Sequence, residues 1–331
     1  MNNPSHLSLG NMARALVPNR WDIVALLVIM GGLAMASVGL HQAQVPLETI
    51  QQATVTLDPS SLPGYALRST LRMLGAMVGS LVFTFIYGSL AAKSRHLELV
   101  LIPILDILQS VPVLGYISFT VVFFMSLFPG QVLGAELACM FAIWTSQVWN
   151  MTFSFYQSLR TLPLDLVETS RSFRFSAWQR FWRLEVPFSM PGLIWNMMMS
   201  MSGSWFFVVA SEAITVGVNK ITLPGIGAYV ATAIQEKNLT AVGWGLVSMT
   251  VVILLYDQLL FRPLVAWSDK FRSELTAGQL VPKSFFLDVI HRTRFLGNIT
   301  RPFSRAFRAT LRLRLPATPA NLPLFLCRNC W

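Results

Sequence analysis

Apolar runs of about 20 residues, each long enough to cross a bilayer core as a helix, recur along this chain and constrain it before any motif is read. Inside hydrocarbon no water satisfies a backbone N–H or C=O, so such runs fold as helices. Composition agrees: 54% of the 331 residues are hydrophobic and only 12% are charged, against about 25% charged in soluble domains. The chain therefore reads as an all-α, multi-pass membrane protein with six transmembrane helices. The spans are expected over 21–40, 65–92, 111–128, 133–155, 188–214 and 240–261.

The net charge of +10 does not point to nucleic acid. Lys and Arg fall in short segments between spans and in the C-terminal tail, the distribution that orients spans in a bilayer. Lys93, Arg95 and His96, then the segment 159–187, then Arg262, Lys270 and Arg272 mark the inner side. Residues 41–64 carry no Lys or Arg and mark the outer side, so both termini are expected in the cytosol. The first run is longer than a signal-peptide core of roughly 7–15 apolar residues and reads as a retained span. Pro103 and Pro112 are expected to split 97–128 into a short interfacial helix and the third span. Gly75 and Gly79 provide the spacing for close helix approach. In the outer segment 215–239, which carries Lys220 and Lys237, Leu223-Pro224-Gly225-Ile226-Gly227 reads as a turn into a short helix over 228–234.

The segment 159–187 interrupts this apolar pattern. It sets Arg160, Arg171, Arg174, Arg180 and Arg183 against Asp165, Glu168 and Glu185, with aromatics interleaved. Pro163 near a first turn, followed by Asp165 and Glu168, starts a helix whose positive end favours carboxylates. A second helical stretch over 177–184 gathers Trp178, Phe181 and Trp182 on one broad face, with Arg180 and Arg183 alongside. Two short helices of this kind suit either helix-in-groove recognition by a soluble partner or an interfacial pair with arginines on lipid headgroups.

The spacing within this segment resembles the cytoplasmic EAA loop of binding-protein-dependent ABC importer permeases. That pattern is E-A-A, three residues, G, nine residues, I-x-L-P. Here Glu168-Thr169-Ser170 stands for E-A-A, Arg174 for the glycine, and Leu184-Glu185-Val186-Pro187 for I-x-L-P. Arginine enters positive φ less cheaply than glycine, so the bend between the two helices is expected to differ in detail. The resemblance covers roughly 65–272. More narrowly, Trp205-Phe206-Phe207-Val208-Val209-Ala210-Ser211-Glu212-Ala213 and Leu223-Pro224-Gly225-Ile226-Gly227 look like permeases of the nitrate, sulfonate and taurine group, some with a duplicated permease module.

The resemblance implies a type I ABC importer permease fold over 65–272, preceded by a cytosolic N-terminus, first span and external loop over 1–64. A basic cytosolic tail or linker over 273–331 follows, where a second module would begin in a duplicated relative. It implies a permease subunit in a bacterial plasma (inner) membrane, passing a small anion such as nitrate, a sulfonate or taurine. Its partners would be an ABC ATPase subunit, a second permease module, an external solute-binding protein and the lipid bilayer. The ATPase-docking residues would be Glu168, Thr169, Ser170, Arg171, Ser172, Arg174, Leu184 and Pro187. No G-x-x-x-x-G-K-[ST] phosphate loop occurs, so any nucleotide-driven cycle needs a separate subunit.

Ionisable groups within spans are functional candidates. Glu212, with Ser202 and Ser211 on its helix, is the candidate for the solute pathway; a structural hydrogen bond is its plainer role. A pathway carboxylate would repel an anion unless paired. Arg68 and Arg72 are expected to enter the second span from outside and snorkel, Glu136 to sit at an outer helix start, Asp106 to bond locally, and Asp257 to pair with Arg262. The methionines at 197–199 and 201, and Cys139, read as packing. Cys327 and Cys330 form a lone C-x-x-C without a second pair, so neither a metal site nor a cofactor is expected. His6, His41, His96 and His291 are scattered, and no catalytic residues are assigned. A membrane-embedded enzyme and a non-transporting scaffold are the competing classes.

Overall fold

A computed structural model describes residues 55–216 and 219–271, together with the single positions 37, 305, 306, 309 and 310. Almost all of the expected first span and of the basic tail, and both Cys327 and Cys330, lie outside the described residues. Hydrogen bonding from Ser60, by its side chain and then by its backbone N–H (3.1 Å), holds the Asp58 carboxyl below the usual range, and the backbone bond starts a short 3-10 turn, Pro59–Ser61. Ten α-helices follow: α1 (Leu62–Lys93), α2 (Arg95–Ser110), α3 (Val113–Leu127), α4 (Val132–Arg160), α5 (Leu164–Ser172), α6 (Ala177–Arg180), α7 (Val186–Glu212), α8 (Ile226–Gln235), α9 (Leu239–Tyr256) and α10 (Arg262–Ser268). Between α7 and α8 the chain forms a two-stranded antiparallel hairpin, β1 (Ala213–Val216) and β2 (Asn219–Thr222), with Ala213 opposite Thr222. The hairpin was not expected; it ends the fifth span at Glu212 rather than at residue 214.

Four helical runs among the described residues are long and apolar enough to cross a membrane: Pro59–Lys93, Val132–Arg160, Ala177–Glu212 and Leu239–Phe271. The expected third span is instead the 15-residue helix α3, about 22 Å long at 1.5 Å per residue, short of a 30 Å core. The six-span count is therefore not reached among the described residues. Pro103 does not divide 97–128 as expected but lies inside α2; the break falls at Val111 and Pro112, where the backbone is extended.

Two of these runs, Ala177–Glu212 and Leu239–Phe271, each contain a π turn, Phe181–Glu185 and Asp257–Phe261. Each π turn ends just before a proline, Pro187 and Pro263. A proline ring clashes with the carbonyl four residues earlier, and widening the preceding turn relieves that clash without ending the helix. The expected second loop helix thus runs through the π turn directly into the span α7.

Helices α1, α4 and α7 form the centre of the bundle. Met73 and Ala76 of α1, Ala138, Ile143 and Phe155 of α4, and Leu193, Met201 and Val208 of α7 are buried there. Small residues let the backbones approach: at Gly75 a Cβ would collide with Met140 Cε, and at Gly79 it would lie 3.4 Å from Trp144 Cδ1. Met197 and Met201 are buried, whereas Met199 is exposed. The outward face of α1 carries Val78, Val82, Ile86 and Leu90, as suits a helix facing hydrocarbon.

Candidate functional site

Two charged assemblies are built on this frame, one at each end of α1. The outer one begins with Ser69 and Arg72, three residues apart and hence on one helix face. Arg72 donates from Nε and Nη2 to the two carboxylate oxygens of Glu136 on α4, both at 2.6 Å. Its Nη1 donates to Glu212 Oε1 at the end of α7 (2.7 Å) and to the Pro224 carbonyl (3.1 Å). Ser69 Oγ donates to Glu212 Oε1 (2.6 Å) and accepts from Ile226 N (3.0 Å). Glu212 Oε2 accepts from Gly227 N (2.7 Å), and the Glu212 carbonyl accepts from Leu223 N (2.9 Å). Arg72 is 5% exposed, Glu212 0% and Glu136 21%.

Gly225 and Gly227 let the turn seat on this cluster. A Cβ at 225 would overlap the Glu212 carboxylate, and one at 227 would lie 2.6 Å from Val209 Cα. The two runs singled out in sequence, ending in Ser211-Glu212 and centred on Pro224-Gly225, are therefore two halves of one hydrogen-bonded joint. Three donors, from Ser69, Arg72 and Gly227, converge on the two oxygens of the Glu212 side chain.

This arrangement corrects the reading of Arg72 as a snorkelling residue: its guanidinium is turned into the bundle and fully paired. Arg68, one turn outward, is half-buried. Glu136 lies in the second turn of α4, clamped by Arg72. Of the pathway candidates, Glu212 makes the structural hydrogen bonds anticipated for it, and Ser211 is buried with its Oγ 3.1 Å from Cys139 Sγ. Ser202 is on another face; it is exposed, and its hydroxyl donates to the Met198 carbonyl (3.1 Å). Sequence reasoning named Arg72, Glu136 and Glu212 one by one and missed their union. The signal was there: one cation and two carboxylates stranded in apolar spans must find each other.

The inner assembly is the segment 159–187. Pro163 precedes α5, and α5 ends in a left-handed turn at Arg174, φ 50°. Phe175 N donates to the Ser170 carbonyl (3.1 Å) and Arg174 N to the Arg171 carbonyl (2.8 Å), the paired bonds of a Schellman end. The bend expected to differ from a glycine bend is thus a glycine-type bend made by arginine. Ser176 opens α6 with a capping box: its Oγ accepts from Gln179 N (3.3 Å), and Gln179 Oε1 accepts from Ser176 N (3.0 Å).

Glu168, Thr169, Arg171, Ser172 and Arg174 are exposed, Ser170 is buried, and Leu184 and Pro187 are half-buried. Phe173, at the bend, is 68% exposed. Of the three aromatics expected on one broad face, two turn inward: Phe181 and Trp182 pack edge-on against Phe85 of α1 at 5.9 and 6.3 Å between ring centres. Glu185, 2% exposed, lies 2.7 Å from Lys93 Nζ and 3.0 Å from Arg180 Nε. Neither contact has hydrogen-bond geometry; they are close but loosely directed ion pairs. Nearby, Glu98 of α2 accepts from Tyr156 Oη and lies 3.5 Å from Arg160. Elsewhere Asp106 accepts from Gln109 Nε2 (2.6 Å) and Asp257 lies 3.7 Å from Arg262, as expected for both.

A bundle of apolar helices with a folded, charged two-helix elbow between two of its spans defines a multi-pass membrane protein of the permease class. Residues 84–266 match the family model for the binding-protein-dependent transport system inner membrane component, and the chain belongs to that family. Among similar proteins, the bicarbonate transport system permease protein CmpB of Synechococcus elongatus is 22% identical over 56% of this chain and 60% of its own length. The nitrate import permease protein NrtB of Synechocystis is 23% identical over 52% of this chain and 57% of its own. A permease of Bacillus subtilis, SsuC, provisionally named for aliphatic sulfonates transport, is 23% identical over 81% of this chain and 92% of its own. The chain thus spans less than two thirds of CmpB of Synechococcus elongatus and of NrtB of Synechocystis.

Proposed function

We propose that this chain is the membrane permease subunit of an ATP-driven importer for a small anion, such as nitrate, a sulfonate or taurine. Its elbow docks a separate ATPase subunit, a second permease module completes the pathway, and an external binding protein delivers solute. The chain sits in the plasma membrane with both termini in the cytosol. The observation that carries this reading is the exposed face of the elbow, with Glu168, Arg171, Arg174 and Phe173 presented from a bend locked at both ends by hydrogen bonds. Rigid attachment to α7 through the π turn lets movement of the elbow carry the span as one body. The relatives' names for bicarbonate, nitrate and sulfonates support the solute class. So does the engagement of both Glu212 carboxylate oxygens, which removes a free carboxylate that would repel an anion.

Affinity purification of the tagged full-length chain from its native membranes tests the docking. ATPase subunits are expected to accompany the unaltered chain and to be lost from the double variant Glu168→Lys, Arg171→Ala. Equal recovery of ATPase with both overturns the reading. Uptake of labelled nitrate, ethanesulfonate and taurine against glycine betaine in cells carrying or lacking the chain tests the solute class, and dependence of betaine uptake alone overturns it.

A further inference from the structure

We propose that Glu185 is the positioning residue through which movement of the elbow reaches α1, a helix that is not continuous with it. The inference rests on the elbow being the ATPase-docking element. The elbow is joined covalently to α4 and α7, so those spans follow it directly; α1 does not. At the inner end of α1, Lys93 is the last helical residue, and it meets Glu185 from one side while Arg180 of the elbow meets it from the other. The carboxylate is buried on an aromatic pad: the Lys93 ammonium lies 5.5 Å over the Phe181 ring, and that ring packs against Phe85 of α1 and Phe155 of α4.

A buried carboxylate shared by two cations is a poor way to add stability, because an apolar residue of similar size packs as well without desolvating charge. What it adds is a preferred partner and position. Its place in the chain is fixed by the π turn that Pro187 imposes. Its ion pairs are close but not directed, so they tolerate a change of angle between elbow and α1 while resisting separation. Lys93 keeps 39% of its side chain exposed, as a joint that must flex requires. Without this contact only the undirected aromatic packing of Phe181 and Trp182 on Phe85 ties the elbow to α1, and the elbow can slip against it.

The test uses the full-length chain purified with the ATPase subunits that accompany it. Cys327→Ser and Cys330→Ser remove two thiols at the C-terminus, and spin labels are placed at Ala177→Cys on the elbow and Val82→Cys on α1, both exposed. With Lys93 present, ATP with vanadate is expected to leave the label-to-label distance unchanged, because the elbow carries α1 with it. In Lys93→Met the same treatment is expected to shift that distance by about 2 Å or more, with ATPase recovery unchanged, and Lys93→Arg is expected to restore the fixed distance. A distance that stays fixed in Lys93→Met overturns the proposal, as does one that shifts in the unaltered chain. Loss of ATPase from Lys93→Met also overturns it, since the contact would then serve docking. Absence of ATPase from the unaltered chain refutes the docking reading, and this inference with it.

Discussion

The two ends of α1 handle buried charge in opposite ways. At the outer end, Arg72 is enclosed and every contact is a short, well-directed hydrogen bond, two of them bidentate to Glu136. At the inner end, Lys93 is partly in water and its contact with Glu185 is close without being directed. Directed, bidentate, desolvated pairs have one geometry; point-charge ammonium pairs have many. The difference teaches which end of the helix is a fixed joint and which is free to change angle. It also explains the choice of Arg at one end and Lys at the other.

The comparison breaks most visibly at Arg72. Arg72→Met leaves the carboxylates of Glu136 and Glu212 facing each other without a cation, and losing one partner of a buried pair costs about 3–5 kcal/mol. The expected result is loss of most monodisperse protein on size exclusion, whereas Lys93→Met at the inner end, which leaves Arg180 facing Glu185, costs far less yield. Equal losses from the two substitutions would erase the distinction drawn between the ends. Glu212→Gln is the next largest effect. An amide places a donor where Ser69, Arg72 and Gly227 already donate, so at least one contact becomes donor against donor. A cost of about 1–3 kcal/mol is expected, read as a lowered thermal midpoint in detergent. Ser69→Ala removes one donor to Glu212 and the acceptor for Ile226 N, and a smaller fall in that midpoint, on the order of 1 kcal/mol, is expected.

What the sequence made legible follows from how local each cause is. Helices α1, α4, α7 and α9 were readable because hydrocarbon allows one solution to an apolar run of that length. The elbow was readable because Glu168, Arg174 and Pro187 act over fewer than about 25 residues of chain, within reach of a spacing rule. The outer joint was not, since Ser69, Glu136, Glu212 and Gly227 come from four separate segments and only tertiary packing brings them together. The π turns were half-legible: Pro187 and Pro263 announce a disturbed helix, but whether it kinks, breaks or widens depends on what packs around it. The hairpin after Glu212 lacked an alternating pattern strong enough to compete with the apolar run that precedes it. The inward turn of Phe181 and Trp182 depends on Phe85, far away in α1.

The smallest expected effect has the opposite sign and sharpens the view of the elbow. Arg174 holds φ at 50°, a conformation that costs a non-glycine L-residue about 1–2 kcal/mol, and the two hydrogen bonds of the Schellman end keep it there. Arg174→Gly removes that cost but adds backbone freedom to the unfolded chain, so a net gain of about 1 kcal/mol or less is expected. The thermal midpoint in detergent should rise slightly, and the bend should be unchanged. If docking uses only the shape of the elbow, ATPase recovery with Arg174→Gly equals that of the unaltered chain. If the guanidinium itself contacts the partner, recovery falls while the midpoint rises. Arg174→Ala separates the two terms, because it keeps the strain and discards the charge: a fall in ATPase recovery shared by Ala and Gly assigns the loss to charge, and a fall confined to Ala assigns it to the bend.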